Sequence, residues 1–202
     1  MTNKYDGNFI VTEGIDGSSK STQINFLKDF FPNFYYTREP DILRDHIFNG
    51  DYPPLGTLHL FLADRLEHNE NYIIPKLKKG ETVICDRYYL STLAYQREAL
   101  KSSKVIPINN IDNILNDYVS LTTVEPDLML LFDCDVSTAM ERTTKDGEDK
   151  YENTKFLECV RKNYLEEYDK RDNVIKIDTM NGRYTIFNTM MNVLKDNFSE
   201  SF

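Results

Sequence analysis

The chain has 202 residues and a mass of 23.7 kDa, which suits one domain spanning residues 1–202. Its net charge of −9 argues against a general nucleic-acid-binding protein, and no apolar run reaches the roughly 20 residues of a membrane-spanning helix. Because the three cysteines are widely spaced and the N-terminus lacks the apolar core of a signal peptide, we expect a cytoplasmic protein without a disulfide framework.

Short apolar runs alternate with longer amphipathic stretches along the chain. The helical stretches include Ile24–Phe31, Phe156–Tyr168 and Ile186–Leu194. Strands that alternate with helices favour a parallel sheet covered on both faces. Ligands of such sheets bind at the carboxyl ends of the strands, so the residues that follow each strand are the candidate functional residues. The predicted strands are Phe9–Thr12, Phe34–Thr37, Thr82–Cys85, Leu128–Phe132 and Val174–Ile177.

The first predicted strand leads into the loop EGIDGSSKST and then into a helix, the context of a phosphate-binding loop. Lys20 would neutralise the β- and γ-phosphates, and the Ser21 hydroxyl would bind Mg²⁺. Ser19 replaces the second glycine of the G-x-x-x-x-G-K-[ST] pattern, which costs about 1–2 kcal/mol if φ is positive there, so nucleotide binding is still expected. On the loop alone, a turn that caps the helix is the alternative. The predicted nucleotide-binding residues are Gly14, Ile15, Asp16, Gly17, Ser18, Ser19, Lys20, Ser21 and Thr22.

The second predicted strand ends in TREP, and a long helical stretch interrupted at Pro75 follows it. Arg38 at the strand end can bind a phosphate through two hydrogen bonds, although a solvated turn is an equal alternative. Phe61 and Arg65 lie four residues apart, on one face of the predicted helix. That face could stack a base on Phe61 and hydrogen-bond its edge through Arg65, or belong to an ordinary amphipathic helix.

The third and fourth predicted strands both end in an acid. Asp86 follows the third strand and Asp133 the fourth, and either could hold Mg²⁺. We prefer Asp86, because Arg87 beside it could stabilise a phosphoryl group in transfer. Asp133 and Asp135 are expected to cap the helix that begins near Val136.

Taken together, these stretches closely resemble the thymidylate kinase family, whose members phosphorylate dTMP to dTDP. The resemblance implies a P-loop nucleoside-monophosphate-kinase fold, an α/β fold in which a five-stranded parallel sheet is flanked by helices and carries a small lid. The matching stretches occur in family order and cover most of the chain: EGIDGSSKSTQ, TREP, LFLADRLEHNENYIIPKLKKG, VICDRYYLSTLAYQ, PDLMLLFDCDVSTAMERT and FLECVRKNYLEEY.

The resemblance also implies roles around the phosphates and the sugar. Arg38 and Arg87 would hold the monophosphate, and Asp16 would contact the 3′-hydroxyl of the sugar. Arg142 would lie near the adenine of ATP.

A second group of roles concerns the base. Phe61 would stack on thymine, with Arg65, Thr92 and Gln96 available to its polar edge. Tyr95 would press against the sugar at C2′ and disfavour ribose.

Besides Ser19, two departures from the family pattern bear on the site. Asp41-Ile42-Leu43 follows TREP where the family usually has Gly-Gly-Thr. The lid, at about residues 144–152, carries lysines where bacterial members have arginine. Because the phosphate loop lacks an arginine too, the lid must supply a further cation, either Lys150 or Lys145, and we assign that catalytic role to Lys150.

The leading hypothesis is an ATP- and Mg²⁺-dependent dTMP kinase that works in dTTP biosynthesis by direct in-line transfer. Its expected ligands are dTMP and ATP, with no nucleic-acid or membrane partner, and the family is usually homodimeric. Two alternatives stay open. The altered loop after TREP motivates a broader deoxynucleoside monophosphate kinase, and Ser19 with the lysine lid motivates a nucleotide-binding regulator without turnover.

Overall fold

Five parallel strands form the centre of the molecule. The computed structural model describes residues 4–143, 150–199 and 201, with the backbone alone for residues 150–153. The strand order is β2-β3-β1-β4-β5 and every pairing is parallel, so the predicted sheet is confirmed. The strands are β1 (Phe9–Glu13), β2 (Tyr35–Arg38), β3 (Val83–Asp86), β4 (Leu128–Asp133) and β5 (Val174–Asp178).

Helices cover both faces of this sheet. The central strands are almost fully buried, which explains why they read as apolar runs rather than as alternating patterns. Among the described residues, no helix is long and apolar enough to cross a membrane. The helices are α1 (Lys20–Phe30), α2 (Arg44–Asn49), α3 (Pro54–His68), α4 (Ile74–Leu77), α5 (Tyr89–Ser91), α6 (Arg97–Ser103), α7 (Ile108–Thr122), α8 (Val136–Thr143), α9 (Lys150–Tyr168) and α10 (Arg183–Asn197).

The alternation of side chains along β1 divides the core into two layers. Ile10 packs with Leu27 of α1 and Met190 of α10 on one face of the sheet. Phe9 and Val11 point to the other face, where α3 and α6 to α9 cover the sheet. The two-residue period of a strand therefore supplies both layers from one short segment.

Two π-helical turns interrupt the regular helices on the second face. The first, Asn69–Ile73, joins α3 to α4 and directly precedes Pro75. Since proline has no N–H and its ring clashes with the carbonyl four residues earlier, a wider turn lets the chain stay helical where we predicted an interruption. The second turn, Thr92–Gln96, joins α5 to α6 and carries three of the predicted base-site residues.

The strand register brings the predicted strand-end residues to one edge. Asp86 lies opposite Thr12 of β1 on one side and opposite Arg38 of β2 on the other. Because β1 is the central strand, the loop that follows it emerges in the middle of this edge. The carboxyl edge of the sheet therefore places the phosphate loop between the residues that follow β3 and β4.

Candidate active site

The loop between β1 and α1 is packed too closely for side chains at two of its positions. Gly14 and Gly17 have positive φ, and a Cβ at either would collide with a backbone carbonyl, that of Phe132 or that of Ala139. Ser19, directly before α1, has φ 72° and therefore accepts the left-handed conformation for which the pattern specifies glycine. A non-glycine residue in this conformation costs about 1–2 kcal/mol, as expected from the sequence, and the loop still leads directly into the helix.

Lys20 is buried inside this loop. Its Nζ donates to the carbonyl oxygens of Gly14 and Ile15 at 2.9 and 2.8 Å and approaches Ser18 Oγ at 3.3 Å. Burial, followed by the nearby charge of Arg87, lowers the pKa of Lys20 to about 7. The amine is thus poorly solvated, and an incoming phosphate would give it the counter-charge that the loop carbonyls only partly replace.

Arg87 connects the phosphate loop to the residues that follow β3. Its φ of 69° turns the chain directly after Asp86, and its guanidinium donates to Gly14 O at 3.0 Å and to Asp16 Oδ1 at 2.6 Å. Burial lowers the pKa of Arg87, but the neighbouring Tyr164, Tyr95 and Asp16 outweigh it and raise the pKa well above its usual range. Arg87 therefore remains a permanent cation.

Asp16 responds in the opposite sense. Burial raises the pKa of its carboxyl, but Arg87 and Lys20 outweigh burial and lower it overall. The carboxylate stays charged and keeps an oxygen, Oδ2, 3.5 Å from the hydroxyl of Tyr95. Asp16 and Arg87 thus form a fixed ion pair at the mouth of the loop.

A cavity of about 430 Å³ opens beside this ion pair. Phe61 of α3 lines one side, and Tyr95 of the second π-helical turn lines another, with Arg87 under its ring at 5.3 Å. The cavity is mostly apolar with a few polar groups, as expected of a site for a small organic ligand. Arg87, predicted to hold the monophosphate, also lines it. So do all the residues predicted for the base and sugar: Asp16, Phe61, Arg65, Thr92, Tyr95 and Gln96.

Arg65 lies at the inner end of the cavity and is held in one orientation. Its Nε donates to Glu39 Oε2 at 2.9 Å, its Nη2 donates to Thr92 Oγ1 at 2.7 Å, and its Cζ lies 4.9 Å from the ring centroid of Tyr88. Arg65 Nη1 and Gln96 Oε1 are buried without a hydrogen-bond partner among the described residues. A donor and an acceptor are therefore available for the polar edge of a ligand.

A second cavity of about 400 Å³ lies over the phosphate loop and adjoins the first. Arg142 of α8 borders it and donates to the carbonyl oxygens of Gly17 at 3.3 Å and Thr179 at 2.8 Å. Asp16, Glu39, Arg44 and Arg87 line both cavities. The other residues of the second cavity are Gly17, Ser18, Ser19, Lys20, Ser21, Thr22, Arg38, Asp86 and Arg142.

The two candidate acids for Mg²⁺ have different surroundings. Asp86 lines the phosphate cavity together with Ser21, and its Oδ1 lies 3.4 Å from the hydroxyl of Thr12. Asp133 accepts two hydrogen bonds from Arg161 of α9, at 2.7 and 3.0 Å. The structure thus gives the carboxylate of Asp133 an ion pair with Arg161, where the sequence predicted a helix cap. Asp135 precedes α8, and its backbone carbonyl accepts the first bond, from Ala139 N at 3.0 Å.

Glu13 is a buried residue of the site to which the sequence interpretation assigned no role. Its carboxylate accepts hydrogen bonds from the backbone N–H groups of Tyr88 and Ser91 and, at 2.6 Å, from the Ser91 hydroxyl. Burial raises the pKa of this carboxyl. Glu13 thereby joins the end of β1 to the segment after Arg87. Its signal in the sequence was a charge at the end of an apolar strand, directly before Gly14.

Arg44, the first residue of α2, is another residue that the sequence interpretation missed. It lines both cavities, and its Cζ lies 5.0 Å from the ring centroid of Phe48.

The predicted lid falls largely outside the part of the chain that the structure describes. Residues 144–149, with Lys145, lie outside the described residues, and so does the side chain of Lys150, although α9 begins at that residue.

The two adjoining cavities are both lined by Arg87, a permanent cation, so they suit two ligands that each carry a phosphate group. With the loop before α1 at the carboxyl edge of a parallel sheet, this arrangement defines the class of P-loop phosphotransferases. The model of the thymidylate kinase family matches residues 12–188, which is most of the chain. The chain belongs to the thymidylate kinase family.

Similar proteins support this membership. The chain is 39% identical over 182 residues to a probable thymidylate kinase of Methanococcoides burtonii, covering 86% of this chain and 89% of that protein. It is 36% identical over 182 residues to a thymidylate kinase of Pelobacter propionicus, covering 79% and 80%. The solved structure of thymidylate kinase from Candida albicans has the same fold, with a TM-score of 0.79 and 23% identity over 95% of this chain and 92% of that one.

Proposed function

We propose that this protein transfers the γ-phosphoryl group of ATP to dTMP and so forms dTDP for dTTP biosynthesis. The observation that carries the proposal is the pair of adjoining cavities, one over the phosphate loop and one lined by Phe61 and Arg65, with Arg87 in both. A donor and an acceptor bound in these cavities would present their phosphates to the same guanidinium. Such positioning, with charge neutralisation, supplies most of the catalysis in phosphoryl transfer.

The phosphate cavity suits the donor nucleotide. Lys20 and the backbone N–H groups at the start of α1 would hold the β- and γ-phosphates, and Arg142 borders the same cavity where the adenine is expected. Ser21 and Asp86 offer the oxygen ligands that Mg²⁺ prefers, and the metal would neutralise phosphate charge when bound. Arg38 and Arg87 would hold the acceptor phosphate in line with the donor.

The other cavity suits a thymine nucleotide. Phe61 offers an aromatic face, the free Nη1 of Arg65 can donate to a carbonyl oxygen of thymine, and Gln96 Oε1 can accept from its ring N–H. Thr92 accepts from Nη2 of Arg65 and so helps to orient it, while the Thr92 hydroxyl hydrogen can still be donated to the base. Asp16 and Tyr95 lie next to each other at the side of the cavity where the sugar would sit.

We further infer a cytoplasmic enzyme that forms a homodimer. Cys85, Cys134 and Cys159 are free thiols, which agrees with a reducing compartment. The homodimer is inferred from the family, whose members are usually homodimeric, and light scattering of the purified protein tests it.

A coupled assay of ADP release with ATP, Mg²⁺ and dTMP tests the proposed reaction. Turnover with dTMP, at a kcat/KM well above that of dUMP, dCMP, dGMP and dAMP, is the expected result. Comparable rates across that panel would favour the broader kinase, whereas ATP binding without turnover would favour the regulator.

Exchanging Arg65 for lysine should weaken the use of dTMP. Lysine keeps a cation opposite Glu39 but loses the planar fork that reaches Thr92 and the ligand, so kcat/KM for dTMP should fall by about 1–3 kcal/mol, or roughly 5- to 150-fold. The KM for ATP should stay within about twofold of the parent. Arg97→Lys is the matched control, because Arg97 is equally buried and paired with Glu167 but lies outside both cavities. A loss confined to the KM for ATP would contradict the base-site assignment.

Removing the charge of Lys150 tests the proposed lid cation. Lys150→Ala should lower kcat by about tenfold or more with little change in the affinity for dTMP, because a cation that arrives on closure acts mainly on the transition state. Lys150→Arg should retain or improve turnover. If Lys150→Ala is fully active while Lys145→Ala is crippled, the role belongs to Lys145, and if both are fully active the lid proposal fails.

A further inference from the structure

One buried carboxylate binds residues 41–43, in the segment between β2 and α2. Asp64, on α3, is only 1% exposed, and its two oxygens accept hydrogen bonds from the backbone of this segment. The N–H of Leu43 lies 2.6 Å from Oδ1, and the N–H of Asp41 lies 3.0 Å from Oδ2. Hydrogen bonds to an ionised carboxylate are among the stronger ones in proteins.

Glu39, at the start of the segment, is anchored separately: its N–H donates to Asp86 O at 2.9 Å and its carboxylate accepts from Arg65 Nε. Residues 41–43 lie beyond that anchor. Asp41 is exposed, and Ile42 is an exposed apolar side chain at 42% of its surface. Two weak bonds of 3.4 Å, from Arg44 N to Asp41 O and from Arg44 Nη1 to Pro40 O, connect the segment to the start of α2. The position of residues 41–43 therefore depends strongly on Asp64.

Helix α2, which follows the segment, forms one wall of the cavity beside Phe61 and Arg65, called the acceptor cavity below. Arg44, Ile47 and Phe48 of α2 all line that cavity. The ring of Phe48 also meets that of Phe61 edge to face, with centroids 6.4 Å apart. A shift at residues 41–43 would move this wall and, with it, the half-buried guanidinium of Arg44, which lines both cavities.

We propose that Asp64 is a positioning residue for the acceptor site and that Arg44, which it places, is a further residue that binds the acceptor nucleotide. This inference rests on the proposed function, because it takes the cavity beside Phe61 as the acceptor site. Asp64 touches no ligand and acts by holding two backbone N–H groups. Arg44 adds a cation where the acceptor phosphate approaches the donor.

Kinetics of Asp64→Asn test the first half of the proposal. The variant keeps the shape of the side chain and one acceptor oxygen but removes the negative charge. Its NH₂ then faces the Asp41 N–H, which keeps only the longer bond of 3.2 Å to Oδ1, so the hold on the backbone weakens. We expect kcat/KM for dTMP to fall about tenfold while the KM for ATP stays within about twofold. Glu67→Gln, which removes a carboxylate from the exposed side of the same helix, should match the parent. An equal loss toward both substrates would overturn the positioning role.

A double-mutant cycle with Arg44→Gln tests whether Asp64 acts through Arg44. Arg44→Gln alone should lower kcat/KM for dTMP about tenfold, and the double variant should lose little more than either single variant, because both remove the same interaction. Losses that multiply would overturn the coupling. Unchanged dTMP kinetics in Arg44→Gln would overturn the assignment of Arg44, even if Asp64→Asn failed to fold.

Amide hydrogen exchange separates this inference from the proposed function. In the parent protein, the amides of Asp41 and Leu43 should exchange slowly despite their surface position, and Asp64→Asn should accelerate that exchange. Fast exchange in the parent would overturn the role of Asp64. If the parent shows no dTMP-dependent ADP release, the proposed function fails, whereas the exchange measurement still decides whether Asp64 holds the segment.

Discussion

Replacing Lys20 with methionine should reduce turnover about 10²- to 10³-fold and leave the protein at least as stable as the parent. The loss follows from the position of Lys20 within the phosphate loop, where its amine is the cation closest to the expected β- and γ-phosphates. The stability follows from burial. The amine of Lys20 donates to the uncharged carbonyl oxygens of Gly14 and Ile15, and the nearby carboxylates do not fully offset its loss of solvation. This buried cation therefore costs folding free energy, and methionine fills similar space without a charge.

The pH dependence of this stability gain has a definite direction. The pKa of Lys20 is about 7 in the folded protein and near the ordinary 10.5 in the unfolded chain. Between these values the unfolded chain binds more protons, so the contribution of Lys20 to stability rises with pH across this window. Below pH 7 the full cost of the buried charge remains. The melting temperature of Lys20→Met should therefore exceed that of the parent most clearly below pH 7, by a margin that shrinks toward pH 10.5.

Thermal melts across this pH range, together with the ADP-release assay, measure both effects. Lys28→Met is a suitable control, because Lys28 lies on the same helix outside the phosphate cavity. Near-parental turnover in Lys20→Met would remove the phosphate-loop assignment. A stability difference that grew with pH would contradict the lowered pKa.

Asp86→Asn should cost far more turnover than Asp133→Asn. Asp86 lines the phosphate cavity with Ser21, and an amide in its place is a weaker ligand for Mg²⁺, so we expect kcat to fall about 10²-fold or more and the Mg²⁺ requirement to rise. Asp133 is already occupied by Arg161, so Asp133→Asn should mainly lower the melting temperature.

Titrations of turnover with Mg²⁺ for the two variants, alongside their thermal melts, separate these outcomes. The pair is well matched, because each acid ends a strand of the same sheet and each change removes one negative charge. Equal catalytic losses, or a larger loss for Asp133→Asn, would reverse the assignment of the metal ligand.

The electrostatics of the site differ from those of the whole chain. A net charge of −9 argued against a general nucleic-acid-binding protein, yet the phosphate cavity gathers cations from distant parts of the sequence. They come from the start of α1, the ends of β2 and β3, the start of α2 and the end of α8. The cations are Lys20, Arg38, Arg44, Arg87 and Arg142. A local site for phosphate groups is thus compatible with an acidic surface.

Local sequence patterns were enough to predict the strands, the main helices and their order along the chain. Apolar runs specified the strands to within one or two residues, because burial on both faces requires continuous apolar character. The spacing of Gly14 and Lys20 specified the phosphate loop, and the four-residue spacing of Phe61 and Arg65 placed both on the wall of one cavity. These are local patterns that a single helix, strand or turn imposes on its own residues.

The partner of each polar group, in contrast, depends on how distant segments pack together. The sequence predicted a helix cap at Asp133, but in the structure both its oxygens accept hydrogen bonds from Arg161, 28 residues away. Likewise, the binding of Asp41 and Leu43 by Asp64 depends on how α3 packs beside β2. Such pairs join segments that are brought together by the packing of the whole core. A charged residue at a strand end or on a helix looks the same in the local sequence whether its side chain contacts solvent, a ligand or a distant backbone N–H, so the sequence alone does not identify its partner.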